Sequence, residues 1–222
     1  RLPARPHVVA TLPHCRQLAS FRLAGCLLFS IVTIGQDEDP FGNVGYIYIQ
    51  HPIDLLTSAE RIEIEAYTVG GFQRINSALR GHTPMTADLQ KSVDIIRSAL
   101  HRFPLKFEAR ATREVSAKDV SIASSGDAPT LVGQVIEQLG FLSTSMCENP
   151  PRSTAHVDPI ELDLLLPAGT AALAVGSLSE YPLERELLVI DARRIFIVQS
   201  RWNARAERWR LYGQVLPEGV LT

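Results

Sequence analysis

The sequence predicts an α+β fold, in which helices come first along the chain and strands follow. Between residues 57 and 103 the apolar positions recur every three or four residues, as in amphipathic helices. From residue 107 the period changes to two, which is typical of half-buried strands. Short links between the later strands favour antiparallel pairing over parallel crossovers. Helices followed by antiparallel strands are the α+β arrangement.

Three helices are predicted in the first half of the chain. Thr57-Ser58-Ala59-Glu60 matches a capping box that opens the first helix, which Gly70-Gly71 interrupts. A second, short helix covers Phe72–Leu79. Thr86 opens the third helix, whose apolar periodicity continues until Pro104.

Strands dominate the rest of the chain, apart from a further helix expected at about residues 129–139. Alternating or apolar runs predict strands at residues 107–113, 141–145, 160–166, 171–175, 186–190, 195–202 and 209–215. The links 191–193 and 203–207 are short enough for antiparallel hairpins.

Composition indicates one globular domain and excludes several classes of function. The 222 residues are 45% apolar and 21% charged, which suffices for a proper core. Lys and Arg number 22 against 24 Asp and Glu, so bulk charge does not suggest a nucleic acid partner. Cys15, Cys26 and Cys147 lack the spacing of zinc ligands, so no metal site is predicted. The longest apolar stretch, residues 23–34, is too short to span a bilayer.

Residues 1–56 form an N-terminal segment of uncertain role, and the main domain is expected at residues 57–222. Arginines precede the apolar stretch, and Leu23-Ala24-Gly25-Cys26 looks like a lipoprotein cleavage box. Its apolar segment, however, follows the cysteine instead of preceding it. A signal or leader and a buried part of the fold therefore both stay open for this segment.

Two carboxylates one residue apart, Glu184 and Glu186, stand before the apolar run 187–190. Residues two apart on a strand point to the same face, so the two acids are expected side by side where the strand begins. Taken alone, such a pair is most often a solvated acidic surface. Other motifs are needed before the two glutamates can be interpreted as a catalytic pair.

Three motifs in sequence order resemble the bacterial mono-ADP-ribosyltransferase exotoxins and effectors: Arg113 on a strand, Gly140-Phe141-Leu142-Ser143-Thr144-Ser145, and Glu184-Arg185-Glu186. A helix with aromatic, Ile-Asn and Leu-Arg positions supports the resemblance, which covers roughly residues 57–200. It implies N-terminal helices followed by mostly antiparallel strands in two packed sheets around an NAD cleft.

The resemblance also implies a reaction, the transfer of ADP-ribose from NAD to a protein side chain with release of nicotinamide. Glu186 would hydrogen-bond the ribose 2′-hydroxyl and stabilise the positive charge that develops on the sugar. Glu184 would orient the acceptor and take its proton. Glutamate at this first position implies arginine as the acceptor. Ser143 would hold Glu186 in place.

The cofactor-binding residues are implied in the same way. Arg113 would bind the phosphates of NAD with its planar, permanently charged fork, and Arg110 is the competing candidate. The other residues expected on the cofactor are Glu114, Ser143, Thr144, Ser145, Tyr67, Phe72, Asn76 and Arg152. Arg152 belongs to a loop, residues 146–157, that would close over NAD.

The implied partner is a protein of a host or competitor cell, reached by a secreted or injected effector. Tyr181 falls where such enzymes meet their target protein. Two alternatives stay open. The first is an NAD glycohydrolase, in which water replaces the protein acceptor, and the second is a non-catalytic binding domain of the same fold.

Overall fold

The computed structural model describes residues 38–217 and confirms the α+β class. Three α-helices come first: α1 (Ser58–Ala66), α2 (Phe72–Leu79) and α3 (Ala87–His101). The strands follow, from residue 109 onward. Residues 1–37, where a leader was considered, lie outside the described residues.

The helix boundaries follow local chemistry, as predicted. At α1 the Thr57 hydroxyl accepts from the Glu60 backbone N–H and the Glu60 carboxylate accepts from the Thr57 N–H, which completes the capping box. Thr86 caps α3 by accepting from the backbone of Leu89. A π-type turn over Tyr67–Gly71 separates α1 from α2, and Gly70 adopts a φ of 147° there. No helix in the range 38–217 is long and apolar enough to cross a membrane.

The strands are β1 (Ala109–Ser116), β2 (Val135–Gln138), β3 (Leu142–Ser145), β4 (Pro159–Leu166), β5 (Ala172–Ala174), β6 (Glu186–Val189), β7 (Arg193–Asn203) and β8 (Arg208–Val215). The helix predicted at 129–139 is wrong. A 3₁₀ segment, Ser125–Leu131, ends before Gly133, whose φ of 81° breaks the helix. The chain then pairs with β7 as β2.

The sheet runs in the order β2-β7-β8-β4-β1-β3-β6-β5. Every pair is antiparallel except β4–β8, which is parallel. The hairpin expected between β7 and β8 is confirmed. The hairpin expected across residues 191–193 is wrong, because β6 pairs with β3 and β5 whereas β7 pairs with β2 and β8.

Two separate sheets are not confirmed, because the eight strands form one continuous hydrogen-bonded order. The five strands β2-β7-β8-β4-β1 and the three strands β3-β6-β5 are connected only between β1 and β3, which pair through Thr112 and Ser145 alone. Inward side chains from all eight strands share one apolar core, including Ile136 of β2 and Ala172 of β5 at opposite ends of the order. The sheet therefore curls around its own core.

A second apolar core lies between the helices and the β3-β6-β5 part of the sheet. It contains Ile64 of α1 and Ile96 of α3, packed with Phe141 and with Leu188 of β6. Leu188 and Glu186 are two apart on β6, so they share a face of the strand. The helices therefore cover the same face of the sheet that carries Glu186.

Residues 39–56, which the sequence leaves in the N-terminal segment, pack against the same folded unit. Phe41 is buried, and the Tyr46 hydroxyl donates to the Asp163 carboxylate on β4 at 2.6 Å. Further along, His51 Nδ1 accepts from the backbone N–H of Ala174 on β5 at 2.8 Å. This stretch thus contacts strands from both halves of the sheet.

Candidate active site

Glu186 is the first residue of β6, and a serine of the paired strand β3 holds its carboxylate in place. The Ser143 hydroxyl, on the paired strand β3, donates to Glu186 Oε1 at 2.5 Å. Burial raises the pKa of Glu186, and the Ser143 hydrogen bond opposes that rise. A carboxylate fixed in this way is ready to face a developing positive charge without reorganisation.

Glu184 is not on the strand, which corrects the expectation of two acids side by side on one strand face. It closes a 3₁₀ turn, Pro182–Glu184, and Arg185 follows with a left-handed φ of 50°. The alternation of side chains applies only to extended backbone, so it begins at Glu186. Glu184 is exposed, yet it is near enough for its charge to raise the pKa of Glu186.

Arg113 on β1 is a cation that lacks a carboxylate partner among residues 38–217. Its Nη1 donates to the backbone carbonyl of Ser143 at 3.2 Å, and its Nε has no acceptor in the described part of the chain. Burial lowers the pKa of Arg113, as expected of a desolvated charge. Arg113, Ser143 and Glu186 therefore meet at one corner, where the arginine has capacity to bind an anion.

Arg110, the competing candidate, is committed to the fold. It is only 4% exposed, and its Nε and Nη2 each donate to the Asp163 carboxylate at 2.8 Å. Asp39 lies 2.8 Å from the same guanidinium, which also stacks on the ring of Tyr46 at 4.5 Å. Two carboxylates and an aromatic ring already satisfy this cation. The geometry favours Arg113 for anion binding.

The helices bring a second cation toward Arg113 and place an exposed aromatic residue beside Tyr67. Phe72, at the beginning of α2, is 40% exposed and lies edge-on to the buried ring of Tyr67. Arg80, directly after α2, lies near enough for its charge to lower the pKa of Arg113. Two arginines that repel each other are stabilised by an anion between them. This is the chemistry that a pyrophosphate such as that of NAD requires.

Asn76 shapes the site from behind. Its side chain accepts from the Phe141 N–H at 2.9 Å and donates to the Phe141 carbonyl at 3.4 Å and to the Tyr67 hydroxyl at 3.0 Å. A Cβ on Gly140 would lie 2.7 Å from Asn76 Oδ1, so glycine is needed for this close approach. Tyr67 and Asn76 thus use their polar groups within the protein.

Asn76→Ala is expected to lower the free energy of unfolding by about 1–3 kcal/mol, because it leaves buried backbone groups of Phe141 without partners. Urea titration followed by circular dichroism measures the change. Gln73→Ala, an exposed position on the same helix, is the control and should leave the midpoint unchanged. Equal midpoints for the two variants would show that Asn76 is not the anchor.

Thr144 and Ser145 support the site through the backbone. The Thr144 hydroxyl donates to the Leu187 carbonyl at 2.7 Å, and the Ser145 hydroxyl donates to the Glu184 carbonyl at 2.7 Å. Both residues are buried. Their hydroxyls fix the beginning of β6 and the turn that carries Glu184.

Glu114 and Arg152, both expected on the cofactor, are not brought to this corner. Glu114 follows Arg113 on β1, so it points to the opposite face of the sheet. There its carboxylate pairs with Arg208 and accepts from the backbone N–H of Ser153, which anchors loop 146–157 on that face. Arg152 lines a separate cavity of about 220 Å³ beside Glu161.

A cavity of about 230 Å³ adjoins Glu186 and is bordered by residues upstream of position 57, which the sequence did not suggest. Tyr48 and His51 line it together with Arg185, whose guanidinium lies 5.3 Å from the Tyr48 ring centroid. His51 Nδ1 accepts from the Ala174 N–H, so Nε2 carries the proton of the neutral ring. These residues had no motif that could have identified them.

Comparison with known proteins gives one family. A family model described as ADP-ribosyltransferase exoenzyme matches residues 39–194, more than two thirds of the chain. The match includes Arg113, Ser143, Glu184 and Glu186. No curated protein matches the chain.

Solved structures of bacterial toxins share the fold. Plx2a, an ADP-ribosyltransferase toxin from Paenibacillus larvae, is 22% identical with a TM-score of 0.63, covering 74% of this chain and 89% of Plx2a. The Clostridium limosum C3 exoenzyme is 17% identical with a TM-score of 0.61, covering 73% and 87%. BECa, from a binary enterotoxin of C. perfringens and solved with NADH, is 21% identical with a TM-score of 0.65, covering 74% and 45%.

Proposed function

Because the chain belongs to the ADP-ribosyltransferase exoenzyme family, we propose that it is a mono-ADP-ribosyltransferase toxin that moves ADP-ribose from NAD to an arginine side chain of a protein. The observation that carries the proposal is the corner formed by Glu186, Ser143 and Arg113. A carboxylate held by a serine stands there beside a half-buried cation that has no carboxylate partner among the described residues.

The chemistry assigns a separate task to each group. Arg113, with the charge of Arg80 nearby, would bind the pyrophosphate of NAD. The bond between ribose C1 and the nicotinamide nitrogen breaks, and its electron pair leaves with nicotinamide. Positive charge then builds on the sugar, next to the fixed carboxylate of Glu186. A nitrogen of the acceptor forms the new bond to C1 and loses a proton.

Arginine is the acceptor that Glu184 suits best. A guanidinium stays protonated at neutral pH and is a poor nucleophile until a base takes a proton from it. Glu184 is exposed at the edge of the site, so it can reach a side chain of another protein. Partial burial raises the pKa of Glu184, which makes its carboxylate a stronger base.

Glu184→Gln is expected to lower ADP-ribose transfer to arginine about a hundredfold, the usual contribution of a general base, while NAD hydrolysis largely persists. The amide keeps the shape of the side chain but cannot take a proton. Nicotinamide release measures total NAD turnover, and labelled ADP-ribose on a protein acceptor measures transfer. Glu180→Gln, an exposed acid in the same loop, is the control.

The two alternatives give different results in this experiment. An NAD glycohydrolase would release nicotinamide in the wild type without labelling any protein. A binding domain without activity would release none. Equal transfer by wild type and Glu184→Gln would contradict the assignment of Glu184 as the base for the acceptor.

The extent of the domain and its place of action are part of the proposal. We propose that the catalytic domain expected at residues 57–222 also includes residues 39–56, because the family match begins at residue 39 and this stretch packs on both halves of the sheet. Membership of an exoenzyme family supports a secreted or injected protein that acts on a protein of another cell.

A further inference from the structure

The second oxygen of the Glu186 carboxylate also has a serine partner. Ser143 binds Oε1 at 2.5 Å, and Ser179, in the loop between β5 and β6, donates to Oε2 at 3.4 Å. Ser179 is only 9% exposed. One serine comes from a paired strand and the other from a loop, so they can change independently. Together they restrict rotation of the carboxylate about its terminal torsion, which is otherwise broad.

Ser179 also binds the exposed turn that precedes Glu186. Its hydroxyl oxygen accepts from the backbone N–H of Tyr181 at 3.1 Å while its proton is directed to Glu186. In this turn the side chains of Tyr181 and Leu183 are 57% and 93% exposed, so two large apolar side chains face solvent beside the site. A continuous path of two hydrogen bonds therefore joins this surface to the carboxylate.

We propose that Ser179 is a positioning residue, which fixes the orientation of the Glu186 carboxylate and couples it to the turn 181–184. This inference rests on the proposed function. The distance of 3.4 Å is long for a hydroxyl donor, and hydrogen bonds of catalytic groups commonly shorten when substrates bind. The Ser179 hydroxyl therefore gives a protein that packs on Tyr181 and Leu183 one route to the Glu186 carboxylate.

The pH profile of NAD turnover reports on this hydrogen bond. Arg113 of β1 and Glu184 of the turn also act on the pKa of Glu186 through their charge, and the buried phenol of Tyr67 faces it from the helices. His51 and Arg185 border the same cavity as Glu186. The Ser179 hydrogen bond favours the ionised form of Glu186. Its loss raises the pKa of Glu186 further, so the acidic limb of the profile moves to higher pH.

The experiment compares nicotinamide release by wild type and four variants across the pH range. Ser179→Ala should lower kcat roughly tenfold, the effect of one hydrogen bond to a charged group, and move the acidic limb upward with little change in KM for NAD. Ser179→Thr keeps the hydroxyl and should restore both, whereas Ser179→Val, of the same size as threonine, should not. Ser58→Ala, at an exposed serine on α1, should behave as wild type.

Three results decide between the claims. If Ser179→Ala and Ser179→Val retain the wild-type kcat and pH profile, the inference is overturned while the proposed function stands. If threonine and valine at position 179 are equally impaired, size and not the hydroxyl matters, and the inference is again overturned. If the wild type itself releases no nicotinamide, the proposed function fails and the inference falls with it.

Discussion

Glu186→Gln is expected to reduce nicotinamide release from NAD about a thousandfold, because it removes the negative charge that faces the developing cation. Glutamine keeps the size of the side chain, and its carbonyl can still accept from Ser143. The loss should therefore appear in kcat more than in KM for NAD. Glu137→Gln, an exposed glutamate on β2, is the control and should turn over NAD as the wild type does.

The same variant is expected to unfold at an equal or higher temperature than the wild type at neutral pH. Burial raises the pKa of Glu186 in the folded state, so the folded protein binds this proton more tightly than the unfolded chain does. Stability from this group is therefore highest at low pH and falls as the pH rises through the titration of Glu186.

Thermal unfolding across the pH range measures this effect. Below about pH 4 the carboxyl is protonated in both states, and the two proteins should differ little on account of its charge. As the pH rises, the unfolding temperature of Glu186→Gln should exceed that of the wild type by an increasing margin. A variant that is markedly less stable at neutral pH would show that Glu186 supports the fold, and its loss of activity would then not identify a catalytic role.

The two candidate arginines are expected to fail in opposite ways. Arg113→Gln should raise KM for NAD about 10- to 100-fold, the effect of losing charged hydrogen bonds, and leave folding intact because Arg113 has no carboxylate partner within residues 38–217. Arg110→Gln should lower the free energy of unfolding by about 3–5 kcal/mol, because the Asp163 carboxylate stays fully buried without its main partner.

Urea unfolding and NAD titration on both variants test this contrast. Arg74→Gln, an exposed arginine on α2, controls for the loss of one positive charge and should change neither quantity. If Arg110→Gln folds normally and loses NAD affinity while Arg113→Gln does not, the roles of the two arginines are reversed.

The elements that the sequence predicted well are those that local chemistry determines. The capping box at Thr57 and Glu60 and the cap at Thr86 set the helix starts from contacts three residues apart. The interruption at Gly70 needs a positive φ, which glycine supplies. The strands from β4 onward follow alternating or continuous apolar runs in the sequence.

The wrong predictions concern elements whose structure depends on residues far away in the sequence. Residues 135–138 form a strand because their backbone pairs with the edge of β7, about sixty residues later in the chain. The link 191–193 resembles a hairpin by its length alone, but β6 already has partners on both sides. Strand pairing is set by packing across the whole sheet, so link length does not determine it.

In the candidate site, too, some features follow from the local sequence and others depend on distant contacts. Sequence order was enough to suggest Arg113, Ser143, Glu184 and Glu186 as a set, but it could not separate Arg113 from Arg110. That distinction depends on Asp163, 53 residues further along, which satisfies one arginine and leaves the other available. Ser179 likewise has no motif of its own, since only the folded loop brings its hydroxyl to Glu186.

The central claim is tested most directly by incubating the protein with labelled NAD and lysates of candidate target cells, beside Glu186→Gln. Mass spectrometry of peptides from any labelled protein then locates the modified side chain. We expect ADP-ribose on arginine with the wild type and none with Glu186→Gln. Equal labelling by both proteins, or no Glu186-dependent labelling in any of the lysates, would contradict transfer.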